Sequence, residues 1–140
     1  MEGRREMQMT IGLLADYANV SQEGKLNIMG VFDRIYAPTF PAVHPEMRLV
    51  MRFEFSAAEL GRERLLEVRL TDADGRTLSG WSRPLPVPKP DGQTKAIMNQ
   101  VLTIQGLAFE RPGDYAFSVL IDADEKGSIP FTLESTPQSS

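Results

Sequence analysis

Two short acidic runs, Asp72-Ala73-Asp74-Gly75 and Asp122-Ala123-Asp124-Glu125-Lys126-Gly127, are where the chain sets carboxylates close enough together to hold a hard cation. Calcium takes several oxygen ligands from flexible loops, so Asp72, Asp74, Asp122 and Asp124 are the candidate metal ligands. The second run departs from the calcium-loop template: Lys126 stands where an oxygen ligand belongs, and the closing glutamate is missing. Both runs also suit hairpin turns, because Asp and Gly accept the left-handed dihedrals such turns demand. The expectation is turns, with neither metal nor cofactor.

His44 is the single histidine and lies in Phe40-Pro41-Ala42-Val43-His44-Pro45. One histidine cannot make a two-histidine metal site, and no nucleophile motif accompanies it as a base's partner. It is expected in a solvent-exposed loop. No Gly-x-Ser-x-Gly elbow, phosphate-cradling loop or dinucleotide fingerprint occurs. No catalytic residue is assigned; carboxylates dispersed along the chain could form a hydrolase site only by meeting in space.

The most unusual segment is Trp81-Ser82-Arg83-Pro84-Leu85-Pro86-Val87-Pro88-Lys89-Pro90. Proline fixes φ and removes a donor, so the stretch is extended and cannot be a central strand. Its period of two differs from the Pro-x-x-Pro spacing of proline-recognition ligands. One reading is an edge onto which no stray strand can zip. The other is a stiff recognition arm, with Trp81, Arg83, Pro84, Pro86 and Pro88 as binding residues, since Trp and Arg are enriched in hot spots.

The elements that must position these residues are strands. Met47, Leu49, Met51, Phe53 and Phe55 alternate with Glu46, Arg48, Val50, Arg52 and Glu54, which predicts one buried and one solvated face. The same period of two recurs at Leu66–Leu70, Tyr115–Ile121 and Ile129–Leu133, and begins earlier at Met7, Met9, Ile11 and Leu13. In the strand from Lys25 to about Tyr36 the phase changes near Gly30, which predicts a β-bulge; a similar switch falls around Gly106. Turn chemistry stands at Asp74-Gly75, Asp91-Gly92, Pro112-Gly113 and Lys126-Gly127. The one helical candidate is Ser56–Arg64, limited to about one turn by Gly61.

About eight strands without a long helix predict an all-β, antiparallel, two-sheet β-sandwich. Pro130 favours a sandwich over a closed barrel because it marks an edge. Pro112-Gly113-Asp114-Tyr115 resembles the corner tyrosine of immunoglobulin-like sandwiches. Residues 6–135 are read as one domain, with 1–5 and 136–140 as frayed tails.

Composition excludes several classes. Of 140 residues, 41% are hydrophobic and 24% charged, the balance of a globular water-soluble domain. The net charge is -4 and the 15 basic residues are scattered, so no basic footprint for nucleic acid exists. No cysteine is present, which excludes disulfides and thiolate sites and suits a reducing cytoplasm. No run approaches the ~20 apolar residues that cross a bilayer, and no signal-peptide pattern opens the chain.

Ala15-Asp16-Tyr17-Ala18-Asn19-Val20, Glu23-Gly24-Lys25-Leu26-Asn27-Ile28-Met29-Gly30-Val31-Phe32-Asp33-Arg34-Ile35 and Phe40-Pro41 resemble the opening signature of a bacterial family of small proteins classed as a domain of unknown function. Leu70–Gly75, and Pro112–Tyr115 leading to Ile129-Pro130-Phe131, fit the same pattern. The resemblance covers nearly the whole chain. It implies a cytoplasmic bacterial or phage-associated β-sandwich and supplies no activity, ligand or site residue. The functional expectation is therefore a non-catalytic module that binds another protein or its own copy, with a small-ligand or calcium-binding domain as the alternative.

Overall fold

The computed structural model describes residues 7–87 and 95–136. Pro88, the Asp91-Gly92 turn and the tails 1–5 and 137–140 lie outside the described residues. Nine strands follow in order: β1 (Gln8–Val20), β2 (Leu26–Phe32), β3 (Arg34–Ala37), β4 (Ala42–Ser56), β5 (Arg64–Asp72), β6 (Thr77–Leu85), β7 (Lys95–Phe109), β8 (Gly113–Ile121) and β9 (Asp124–Ser135). They form a four-stranded sheet, β2-β1-β4-β7, and a five-stranded sheet, β3-β9-β8-β5-β6. The expected helix is a single 3-10 turn, Ala57–Glu59, with the Glu59 carboxylate accepting the backbone N–H groups of Met7 and Ser56.

The core lies between the sheets. Met47, Leu49, Met51, Phe53 and Phe55 of β4 all point into it, as alternation requires, and meet Leu66, Val68 and Leu70 of β5 and Phe117 and Val119 of β8. Phe109, Tyr115, Phe117 and Phe131 form an aromatic group with ring centroids 5.0–5.9 Å apart. The Tyr115 hydroxyl donates to the Arg111 carbonyl at 2.6 Å, which ties the turn before β8 to the strand it opens.

Four expectations need correction. The two-sheet fold is not wholly antiparallel: β3 runs parallel to β9, from Arg34↔Thr132 to Ala37↔Ser135. The reason is the chain path, since the stretch read as one strand from Lys25 to Tyr36 leaves the first sheet at Asp33 and joins the second as β3. That split also gives nine strands among the described residues, where about eight were expected. No residue is inserted at Gly30, because the β1–β2 register runs unbroken from Leu14↔Phe32 to Val20↔Leu26. Gly30 instead takes a φ of 74° and bends the strand, while the change of face comes from the change of sheet.

At Gly106 the faces do exchange, from Ile104 to Phe109, yet the β4–β7 register is again continuous. Both strands switch together, because Pro45 stands across from Gly106, whose φ is 65°. The fourth correction concerns the row Glu46, Arg48, Val50, Arg52 and Glu54. It is not a solvated face: Val50 is 0% exposed, and Arg48, Arg52 and Glu54 are half-buried.

Val50 is covered because the β1–β2 hairpin folds back. Asn99 on β7 lies in the row of Arg52 and Ile11, and its Nδ2 donates to the Gly24 carbonyl at the hairpin tip at 2.9 Å. A straight hairpin would carry Gly24 roughly 30 Å beyond that row. β1 stops pairing with β4 after Ala15↔Arg48, and the ribbon bends at Asp16 and Gly30. A side chain at position 30 would meet the Asp16 carboxylate, with Oδ2 2.4 Å from an added Cβ.

Candidate functional site

Each acidic run contributes to a turn, but the second turn is Asp122-Ala123 rather than the expected Lys126-Gly127, which lies within β9. Asp72 Oδ1 accepts the backbone N–H groups of Asp74 at 3.0 Å and Arg76 at 2.9 Å. The Arg76 N–H is the main cause that holds the Asp72 carboxyl below its usual value. Asp122 Oδ1 accepts the Leu65 N–H at 2.9 Å and its Oδ2 faces Arg64 Nη1 at 3.3 Å, while Asp124 pairs with Lys126 at 3.1 Å. Register separates the two runs: β5 and β8 pair from Leu66↔Ile121 to Asp72↔Tyr115, so Asp122 and Asp72 stand at opposite ends of that ladder, roughly 20 Å apart. They cannot share one ion, and among the described residues no three or more His, Asp or Glu gather into a metal-holding group.

The proline segment begins as β6, the edge of the five-stranded sheet, paired with β5 alone. Pro84 and Pro86 are exposed while Leu85 and Val87 are buried, so the period of two is the in-and-out alternation of an edge whose outer positions carry no donor. Trp81 packs on the core with its ring 6.0 Å from Phe117. Arg83 crosses to the other sheet: Nη2 donates to Gln100 Oε1 at 3.0 Å and to the Val101 carbonyl at 3.1 Å. Burial pushes its guanidinium below the usual value. Arg83 thus ties the β6 edge to β7, while Trp81 anchors β6 on the core of its own sheet.

His44 sits on β4, not in an exposed loop, because the strand starts at Ala42 and includes Pro45. It is half-buried, its ring lies 6.0 Å from Phe32, and its Nε2 is buried without a protein partner. The side chain borders a cleft of about 330 Å³ where β3 and β4 meet, walled by Tyr36, Pro38, Pro41, Val43 and Phe109. Burial lowers its pKa from 6.5, opposed by the Asp16 charge and by a hydrogen bond with the Glu46 backbone. A depressed folded-state pKa means that the unfolded chain binds more protons as pH falls below 6.5. Stability is therefore fully present above that pH and declines below it towards the folded pKa. Urea midpoints at pH 7.5 and 5.5 should fall for the natural protein and fall less for His44→Leu; equal declines would show that His44 carries none of the effect.

The two most exposed large apolar side chains outside that cleft, Met29 and Val31, belong to the folded-back hairpin. Ala18, Leu26 and Ile28 face the protein, whereas Tyr17, Met29 and Val31 are 46%, 69% and 62% exposed. Arg48 lies over the Tyr17 ring at 5.0 Å and pairs with Glu46 at 2.6 Å. Tyr, Met and Arg are the residue types enriched where proteins bind one another. The sequence held a signal that motif reading passes over: Leu26–Phe32 is apolar at both parities, more than a half-buried strand requires.

Residues 10–134, from within β1 to within β9, match the family described as "Family of unknown function (DUF6941)". The chain belongs to DUF6941. Its signature block, Gly24 to Ile35, forms the hairpin tip, β2 and the crossing into β3. No curated protein matches this DUF6941 chain. A similar solved structure is the Pseudomonas fluorescens alkylpurine DNA glycosylase AlkC bound to DNA containing an abasic site analog, with a TM-score of 0.54 and 11% identity. The match covers 92% of this chain and 30% of that one, so the DUF6941 chain spans under a third of that enzyme's length. The likeness concerns the fold alone.

Proposed function

We propose that this DUF6941 chain is a non-catalytic interaction module, an immunoglobulin-like sandwich of the bacterial cytoplasm that binds protein through the outer side of its β1–β2 hairpin. The observation that carries the reading is the exposure of Tyr17, Met29 and Val31 together on an arm that the chain bends back over its own sheet. An arm held in place loses little freedom on binding, which favours it as a contact surface. The immunoglobulin-like description is supported by the Tyr115–Arg111 bond, the corner typical of such sandwiches. The absence of cysteine suits a reducing compartment. DNA is not the proposed partner, because a net charge of -4 with scattered basic residues gives phosphates little to bind.

A photo-crosslinking residue at position 29 should give discrete protein adducts in cells, and one at Leu78, exposed on β6, should not. An absence of adducts from position 29, or equal adducts from both positions, would overturn the reading.

A further inference from the structure

Sheet edges decide which strands can pair with another chain, and each edge other than β2 carries at least one guard among the described residues. β6 carries Arg83 and Pro84 near its end, and Pro86 follows just beyond it. β7 is tied at Val101 by Arg83 and at Asn99 by the hairpin tip. β3 has four residues, with Arg34 paired to Glu134, and the free part of β9 carries Asp124, Glu125, Lys126 and Pro130. Short, charged or proline-bearing edges are the usual protections against stray pairing. β2 has none of them: Leu26–Phe32 contains no charge and no proline, and pairs with β1 alone.

The hydrogen-bond phase shows which groups of β2 are free. Ser21 N–H donates to the Lys25 carbonyl at 2.8 Å, so Ser21 and Lys25 are a bonded pair of the antiparallel ladder. Bonded pairs recur at every second position. Asn27, Met29 and Val31 therefore spend their backbone groups on β1, and Leu26, Ile28, Gly30 and Phe32 turn theirs outwards. Gly30, with its φ of 74°, bends the strand and confines straight pairing to Leu26–Met29.

We propose that the free edge of β2 pairs antiparallel with β2 of a second copy, about a two-fold axis, joining the two hairpins into one four-stranded ribbon. The proposal rests on the interaction reading above and names its partner. Charge argues for self-pairing. A two-fold axis sets identical segments against each other, which a chain of net charge -4 tolerates best where the segment is neutral. Two-stranded ribbons are marginal in water, and added strands stabilise them.

Sedimentation velocity over a concentration series tests this. The natural protein should show a concentration-dependent dimer. Ile28→Pro removes an outward N–H without touching the β1 ladder and should raise the dissociation constant at least about tenfold. Asn27→Lys, at an exposed position, adds a like charge across the axis and should act the same way if the proline variant fails to fold. A monomer at every concentration, or a dimer indifferent to both substitutions, would overturn the self-pairing. Adducts from position 29 with a protein of different mass, beside a strict monomer, would sink this inference and leave the interaction reading standing. No adducts of any kind would sink that reading itself.

Discussion

Phe117→Ala should cost about 3–5 kcal/mol of folding stability, the range for emptying a buried aromatic site. Phe117 is fully buried on β8, where Val68 and Leu70 of β5 and Ile129 of β9 surround it as core neighbours. Its ring stacks on Phe131 at 5.2 Å and meets Trp81 at 6.0 Å. Trp81 lies on the inward face of the β6 edge, so a cavity at position 117 also removes the ring against which Trp81 packs. Each kcal/mol corresponds to roughly 2–4 °C in a domain of this size, so melting should fall by about 6–20 °C. Urea denaturation with an unchanged slope would assign the loss to the native core. A cost below about 1 kcal/mol would mean that the aromatic group repacks, and that the sheets are held by other contacts.

The alternation that places Phe117 inside was legible because its period matches the pleat. Val119, Ile129, Phe131 and Leu133 follow the same rule and are buried. Val50 was not legible. Alternation predicts which residues share a face, but not whether a distant part of the chain will cover that face, and here the hairpin does. Gly30 misled for a related reason. A change of parity looks the same in sequence whether a residue is inserted or the strand crosses to another sheet, and β2 and β3 lie in different sheets. His44 was read as a loop residue from its flanking prolines, yet Pro45 is accommodated within β4 opposite Gly106, where both strands twist together.

The candidate site divides along the same line. The two acidic runs were read as hairpin turns, and Asp72 and Asp122 do accept backbone N–H groups at turns, whereas Asp124 already belongs to β9 and pairs with Lys126. Trp81 and Arg83 were recognised as unusual, but sequence could not show that both point inwards. Tyr17, Met29 and Val31 were passed over, because a hydrophobic residue in a strand reads as core until the bend of the β1–β2 hairpin decides which of its faces is turned outwards.

Ala123→Gly should stabilise the protein, by about 0.5–1.5 kcal/mol. Ile121 pairs with Asp124 across a two-residue turn whose central residues both have positive φ, 52° at Asp122 and 69° at Ala123. Such primed turns match the twist of a hairpin and favour Asn or Asp followed by Gly. An alanine there carries a left-handed penalty of roughly 1–2 kcal/mol, part of which glycine returns as extra freedom in the unfolded chain. Asp122→Ala should move the other way, by about 1–2 kcal/mol. It loses the Leu65 N–H bond, discounted for solvent access, and puts a second alanine in the same strained region. Melting curves of both variants with and without calcium then separate a turn from a ligand. A turn predicts opposite shifts for the two substitutions that calcium leaves unchanged. A calcium-dependent rise in the natural protein that Asp122→Ala abolishes would return the acidic run to the role of a metal site.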